Sequence, residues 1–433
     1  MPDSGKKLLV IQVAGLSHDL VGGGGAADWH GARCLPMDSV FPALTCTVQA
    51  SFRTALPPSL HGMVANGVYA PDLRRPLFWE QSASLVAGPR IWSRFREKGK
   101  RVAMLFWQQS LGESVDYILS PSPIHKHGGG MIQSVYSQPR DLYARLCAAV
   151  GSSFKLARYW GPLASAKSSN WIAAATVALL EDRVFAPDLC LTYLPVMDYD
   201  LQRCGPQSPQ AAEALRDLFW ELARLQAAAV ARGYDVLVFG DYAMGTVTGG
   251  AVFPNLALRR AGLLACREIG RMQYVDFHDS AAFAMVDHEI AHVYVRRESD
   301  VERVRRVLSG LKGVGDVLDR DAQKIHGIRH ERSGDLVLVA DDGYWLAYPW
   351  WEKTSEAPDY ARHVDIHNKP GYDPCELFFG WPPGTVSMNP GRIRGSHGRV
   401  GPNRRACFAA TCRFRSVPTN LLELAAAVAE WLD

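Results

Sequence analysis

Five short runs in this chain are almost uninterrupted in apolar character: LLVIQVA at 8–14, RVAMLFW at 101–107, CLTYLP at 190–195, DVLVF at 235–239 and the stretch 406–411. A strand that is apolar on both faces must be covered on both, which suits a parallel sheet buried between helices. Helical periods lie between the runs. One covers 89–98, another 171–180, and the clearest covers 208–233, where Ala212, Leu215, Leu218, Phe219 and Leu222 mark a face that Gly233 ends. An amphipathic helix is expected at 420–431. With 433 residues, 48% of them hydrophobic, the chain can bury one large α/β core and a smaller appendage.

Charge and cysteine usage narrow the function classes. A net charge of +3 shows no basic excess of the kind a nucleic-acid polymer requires, and the arginines at 392–405 read as a loop facing an anionic substrate or water. The N-terminus enters a strand of about seven residues, too short for a membrane span and lacking a convincing cleavage site, so a mature cytoplasmic protein is expected. The oligomeric state is left open. Nine cysteines without a Cys-x-x-Cys pair argue against a disulfide framework and a zinc knuckle. Gly22 to Gly25 lack the Lys-Ser/Thr of a phosphate loop, and His125-Lys126-His127 lies in a Pro/Gly/Ser-rich stretch without a third ligand at coordinating spacing.

The chemistry centres on 41–63, FPALTCTVQASFRTALPPSLHGM. A Phe-Pro turn stops a strand, and the residues after it look helical up to Pro57-Pro58, placing Thr45 near a helix N-terminus. Free N–H groups and the helix dipole favour an oxyanion there and ease deprotonation of Thr45 or Cys46; the plainer alternative is a capping Thr45 and a small buried Cys46. FPALT followed by PPSLHGM resembles the nucleophile segment of the alkaline phosphatase superfamily, in its nucleotide pyrophosphatase/phosphodiesterase branch. Further landmarks follow in that family's order: the first strand, the Asp198 segment with Gly205-Pro206, Gly240-Asp241-Tyr242-Ala243-Met244, and Gly395-Ser396-His397-Gly398.

The resemblance implies an alkaline-phosphatase-like three-layer sandwich with a mostly parallel central sheet. A small α+β cap would be inserted, giving a core at 1–284, the cap at 285–350 and a return to the core at 351–433. It also implies a phosphodiesterase or nucleotide pyrophosphatase type of hydrolase, with Thr45 attacking phosphorus and one or two divalent ions, zinc or else manganese or magnesium. Asp198, Asp241 and His397 match the family's metal ligands. Ala14, Gln202 and Tyr242 stand where the family has three others, with His18 and Asp19 just beyond Ala14. Asp200 could join Asp198 on one loop, and His363, Asp365 and His367 would lie on one face if 363–367 were extended, so these four are the expected replacements. Gln49, Gln202, Arg203, Tyr242, Lys369 and Arg394 are the expected contacts of a small phosphorylated substrate. The alternative is an inactive relative that binds a phosphorylated metabolite.

Overall fold

The computed structural model describes residues 5–22, 28–29, 32–125 and 131–433. Most of the glycine run after Gly22, and Lys126 and His127 of the histidine tract, lie outside the described residues. In chain order the elements that position the site are β1 (Leu8–Val13), β2 (Leu35–Met37), α1 (Thr45–Thr54), β3 (Val102–Leu105), β4 (Tyr117–Pro121) and β5 (Val135–Gln138). There follow α2 (Ala166–Glu181), β6 (Leu189–Leu194), α3 (Val196–Cys204), α4 (Pro209–Ala231), β7 (Asp235–Gly240), β8 (Ala282–Asp287) and β9 (Ile290–Val295). The remainder are α5 (Val301–Ser309), β10 (Val314–Leu318), β11 (Leu336–Ala340), β12 (Ala406–Ala410) and α6 (Leu421–Leu432).

The central sheet has the order β5-β4-β3-β6-β1-β7-β12-β2, parallel from β4 through β7. Antiparallel strands flank it on both sides. Its middle strands β1 and β6 are buried at every position, as strands covered on both faces must be. Among the helices α1 packs on α6 and α2 on α4. This is the α/β architecture with a mostly parallel central sheet that the sequence led one to expect.

Register explains why a site forms. Val13, the last residue of β1, pairs with Leu194 of β6 and with Gly240 of β7. Three neighbouring strands therefore end level, and the residues just beyond them, Ala14-Gly15, Pro195 to Asp198 and Asp241-Tyr242, emerge side by side at the carboxyl edge where open α/β sheets bind ligands. A second sheet, antiparallel in the order β8-β9-β11-β10, builds its own core with α5 from residues such as Phe283, Met285, Val304, Leu308 and Leu338. Leu44, Ala65 and Phe78 belong to that same cluster, so the segment around Thr45 is wedged between the two cores. Among the described residues no helix is long and apolar enough to cross a membrane.

Three local expectations change. The 89–98 helix shrinks to Ser93–Glu97. The segment after β6, expected as a loop, is the nine-residue helix α3; it has no breaker before Gly205, and Val196, Met197 and Leu201 are buried. Residues 363–367 are not a strand: Asp365 accepts from the backbone N–H and the side-chain amide of Asn368, which winds the chain into a turn just before Pro370-Gly371.

Candidate active site

Thr45 is the first helical residue of α1, with the apolar Leu44 at the N-cap position. Its hydroxyl lies 3.4 Å from Oδ2 of Asp241. Asp241 is fully buried and accepts from four donors: the Gly15 N–H at 2.9 Å, its neighbour's Tyr242 N–H at 3.0 Å, the Gln12 amide at 3.1 Å and Thr45. Gly15 has φ of +71°, and a Cβ there would stand 2.7 Å from Leu201, so β1 can turn toward Asp241 only through glycine. Burial pushes the Asp241 carboxyl up to about 8, with Asp198 adding to the rise and the Gly15 N–H opposing it.

Asp198, one turn into α3, accepts the Tyr242 phenol at 2.8 Å and the Gln202 amide at 2.6 Å. Gln202, one helical turn further on, accepts in turn from the Tyr372 phenol at 3.0 Å. Burial lifts Asp198 to about 6. The Tyr242 ring lies flat on the imidazole of His397, centroids 3.4 Å apart at 4°. His397 is held by Nδ1 against the carbonyl of Ala43 at 2.8 Å, and burial together with His288 keeps it well below its ordinary value, hence neutral with the proton on Nδ1.

Four groups complete this floor that the sequence did not single out. Asn66 accepts the Cys46 N–H with its side-chain oxygen at 3.0 Å, and its own N–H and amide donate to Asp287 at 2.7 and 3.1 Å. His288 follows Asp287 at the tip of the β8–β9 hairpin in the left-handed region, φ 61°, and packs between His397 and Tyr372 at 3.8 and 3.7 Å. Gln12 is the fourth. Asp287-His288-Glu289 did leave a trace: three ionisable residues interrupting two apolar runs mark a hairpin tip set into an apolar surround.

Thr45, Asn66, Asp198, Tyr242, His288 and His397 all face one cavity of about 1250 Å³. Trp79, Tyr159, Trp160, Tyr360 and Tyr372 give it aromatic walls, and no Lys or Arg among the described residues lines it. His363, Asp365 and His367 line its wall, but the carboxylate of Asp365 accepts only from Asn368 in its own turn while its N–H donates to Glu376, and His367 Nδ1 contacts the Phe78 carbonyl. Asp200 sits two residues from Asp198 on a helix, so it points elsewhere, toward Arg203 at 3.7 Å. Several expected substrate contacts are committed to other partners. Arg203 donates to the carbonyls of Leu377, Ala164 and Gly161; Lys369 is buried in ion pairs with Asp373 and Glu376; Arg394 is exposed and bonds Gly391; Gln49 accepts the Gln108 N–H. Gln202 supports Asp198 from behind, and only Tyr242 of the six meets the cavity.

A family model for type I phosphodiesterase / nucleotide pyrophosphatase matches residues 29–373, most of the chain. The chain belongs to the type I phosphodiesterase/nucleotide pyrophosphatase family. Among solved structures, murine ectonucleotide pyrophosphatase/phosphodiesterase 5 superposes with a TM-score of 0.62 at 16% identity, covering 99% of this chain and 95% of that one. An inactive threonine-to-alanine form of the murine protein, in complex with AMP, gives 0.61 at 15% identity over 99% and 95%. Phosphonoacetate hydrolase from Sinorhizobium meliloti 1021, in complex with phosphonoformate, gives 0.63 at 17% over 99% and 96%. These likenesses establish the fold.

Phosphodiesterases of this family typically depend on divalent zinc, and the donor set of this site does not fit such an ion. Among the described residues no three His, Cys, Asp or Glu side chains form a group able to hold a metal ion. Asp198 and His397 share the cavity lining with His363, Asp365 and His367, but Asp198 carries the Tyr242 phenol and the Gln202 amide as donors and the Tyr242 ring stacks on His397.

Proposed function

We propose that this chain is a phosphoester hydrolase whose cavity takes a small phosphodiester, with Thr45 as the nucleophile. The observation that carries the reading is the placement of the Thr45 hydroxyl at the start of α1, on the cavity floor, 3.4 Å from a buried carboxylate that can accept its proton. In the reaction the Thr45 Oγ–P bond forms as the ester P–O bond breaks. The hydroxyl proton passes to Asp241 Oδ2, and the leaving alkoxide is protonated by water. A second water then cleaves the phosphothreonine, its OH going to phosphorus and its proton to Thr45 Oγ, while the hydroxide left by the first water takes back the proton held by Asp241.

Charge selects the substrate. Among the described residues the lining has no Lys or Arg but has the carboxyls of Glu80, Asp198, Asp359 and Asp365, so a phosphoryl group meets only hydroxyl and N–H donors and the positive end of α1, which suits the single charge of a diester better than the double charge of a monoester. Aromatic walls suit a flat or apolar ester substituent. The test is hydrolysis of bis-p-nitrophenyl phosphate against p-nitrophenyl phosphate. The diester should be preferred, Thr45→Ala should lower its turnover by roughly 10³-fold or more, and Cys46→Ala should leave most of it. Full activity in Thr45→Ala would end the assignment. Ligand binding without turnover is the second reading, favoured by one observation: Tyr242 and Gln202 satisfy Asp198 with neutral hydrogen-bond donors where the chemistry of the family uses a positive charge. Saturable binding of the diester in calorimetry with no product would establish it.

A further inference from the structure

We infer that this centre is built to keep its carboxylates without a metal ion, with Tyr242 and Gln202 serving as the internal donors that replace one. The inference stands on hydrogen-bond accounting and does not depend on the proposed reaction. Asp241 has two oxygens and four donors, two on each: Gly15 N–H and Tyr242 N–H on Oδ1, Gln12 and Thr45 on Oδ2. The two backbone donors are fixed by the ends of β1 and β7 and have no other partner to turn to, so a cation at Oδ1 would leave them buried and unpaired. Asp198 carries one internal donor on each oxygen, the phenol on Oδ1 at 2.8 Å and the amide on Oδ2 at 2.6 Å, which stand where an ion would otherwise balance its charge.

Gln202 is also oriented against coordination. A metal ion would need its carbonyl oxygen, yet that oxygen accepts from the Tyr372 phenol at 3.0 Å while the NH₂ faces Asp198. His397 keeps the tautomer of a ligand, its Nδ1 engaged by Ala43, and its Nε2 has no protein partner among the described residues. One imidazole alone holds no ion tightly, and the ring stacked on it at 3.4 Å, Tyr242, brings a phenol where the family has a second imidazole. Each position of the set thus agrees with the others: Ala14 offers no carboxylate, Gln202 presents donors, and Tyr242 fills the volume.

Metal content decides the question. The full-length protein, purified from zinc-supplemented cells and dialysed, should carry well under one equivalent of zinc, manganese or magnesium per chain, and its melting temperature should be unmoved by EDTA or by added zinc. Stoichiometric metal that EDTA removes with a fall in melting temperature would overturn the inference, whatever the activity assays show. The converse variant, Ala14→Asp with Gln202→His and Tyr242→His, should gain bound zinc and a zinc-dependent rise in melting temperature. A folded triple variant that takes up no zinc would equally refute the role given to these three positions. If the triple variant does not fold, the single variant Tyr242→Phe supplies the second arm. It should melt lower than the parent with or without zinc present, and a parent-like melting temperature would show that the phenol is not the donor Asp198 relies on.

Discussion

At the scale of the residue, Asp241 ties stability to pH. Its folded-state value, about 8, lies above the ordinary carboxylate value, so the folded chain binds this proton more tightly than the unfolded chain does. The stability from this group is therefore full below the unfolded value near pH 4 and is lost as pH rises through about 8. Asp198, raised to about 6, adds loss in the same direction over a narrower window. Melting temperatures taken from pH 5 to 9 should fall less steeply in Asp241→Asn than in the parent; parallel curves would show that Asp241 does not titrate there. Gln12 offers a structural counterpart. Its buried Oε1 has no partner while its NH₂ points at Asp241, and rotating the amide would let that oxygen accept a proton carried by the carboxyl. The same titration gives the kinetic expectation that kcat/KM for the diester rises toward an alkaline limb, since only ionised Asp241 can accept from Thr45.

Among the elements, the β8–β9 hairpin reaches the nucleophile segment through a chain of hydrogen bonds. Through Asp287 it holds Asn66, and through Asn66 the first backbone N–H after Thr45. Asn66→Ala strips Cys46 N–H of its acceptor and Asp287 of a side-chain donor, and should cost about 1–3 kcal/mol in urea unfolding, with a lower kcat as Thr45 loses its footing. An unchanged unfolding midpoint would mean that water or relaxation replaces both bonds. The strands of the central sheet were legible because burial on both faces leaves a local trace in composition, as in 8–14 and 190–195. The ordered landmarks made Thr45, Asp198, Asp241 and His397 legible as neighbours, and the structure does gather them at one end of the sheet. What stayed hidden depends on partners far along the chain. Nothing within 363–373 says that Asp365 will spend itself on Asn368, or that Lys369 will be buried between Asp373 and Glu376. That α3 is a helix follows from Val196, Met197 and Leu201 finding a core to bury in, which a reading of Asp spacing alone does not reveal.

For the molecule as a whole, the site lies between two hydrophobic cores, one under the large sheet and one under the four-stranded antiparallel sheet. Leu191→Ala in β6 and Leu338→Ala in β11, both fully buried, should each cost about 2–5 kcal/mol, read as shifts in the urea midpoint. Much smaller costs would mean that the cores are looser than their burial implies. The sheet order holds one more consequence. Strand β12, far along the chain from β2, sits between β7 and β2, and among the described residues β2 pairs with no other strand of that sheet. On the ribosome, every nascent length short of β12 leaves β2 without a place, and His397, Glu289's backbone partner and the stacking surface for Tyr242 arrive only just before it. Thr45 is made long before the residues around 397–410 that complete its surroundings, so a chain stalled short of β12 holds a sheet with an open slot.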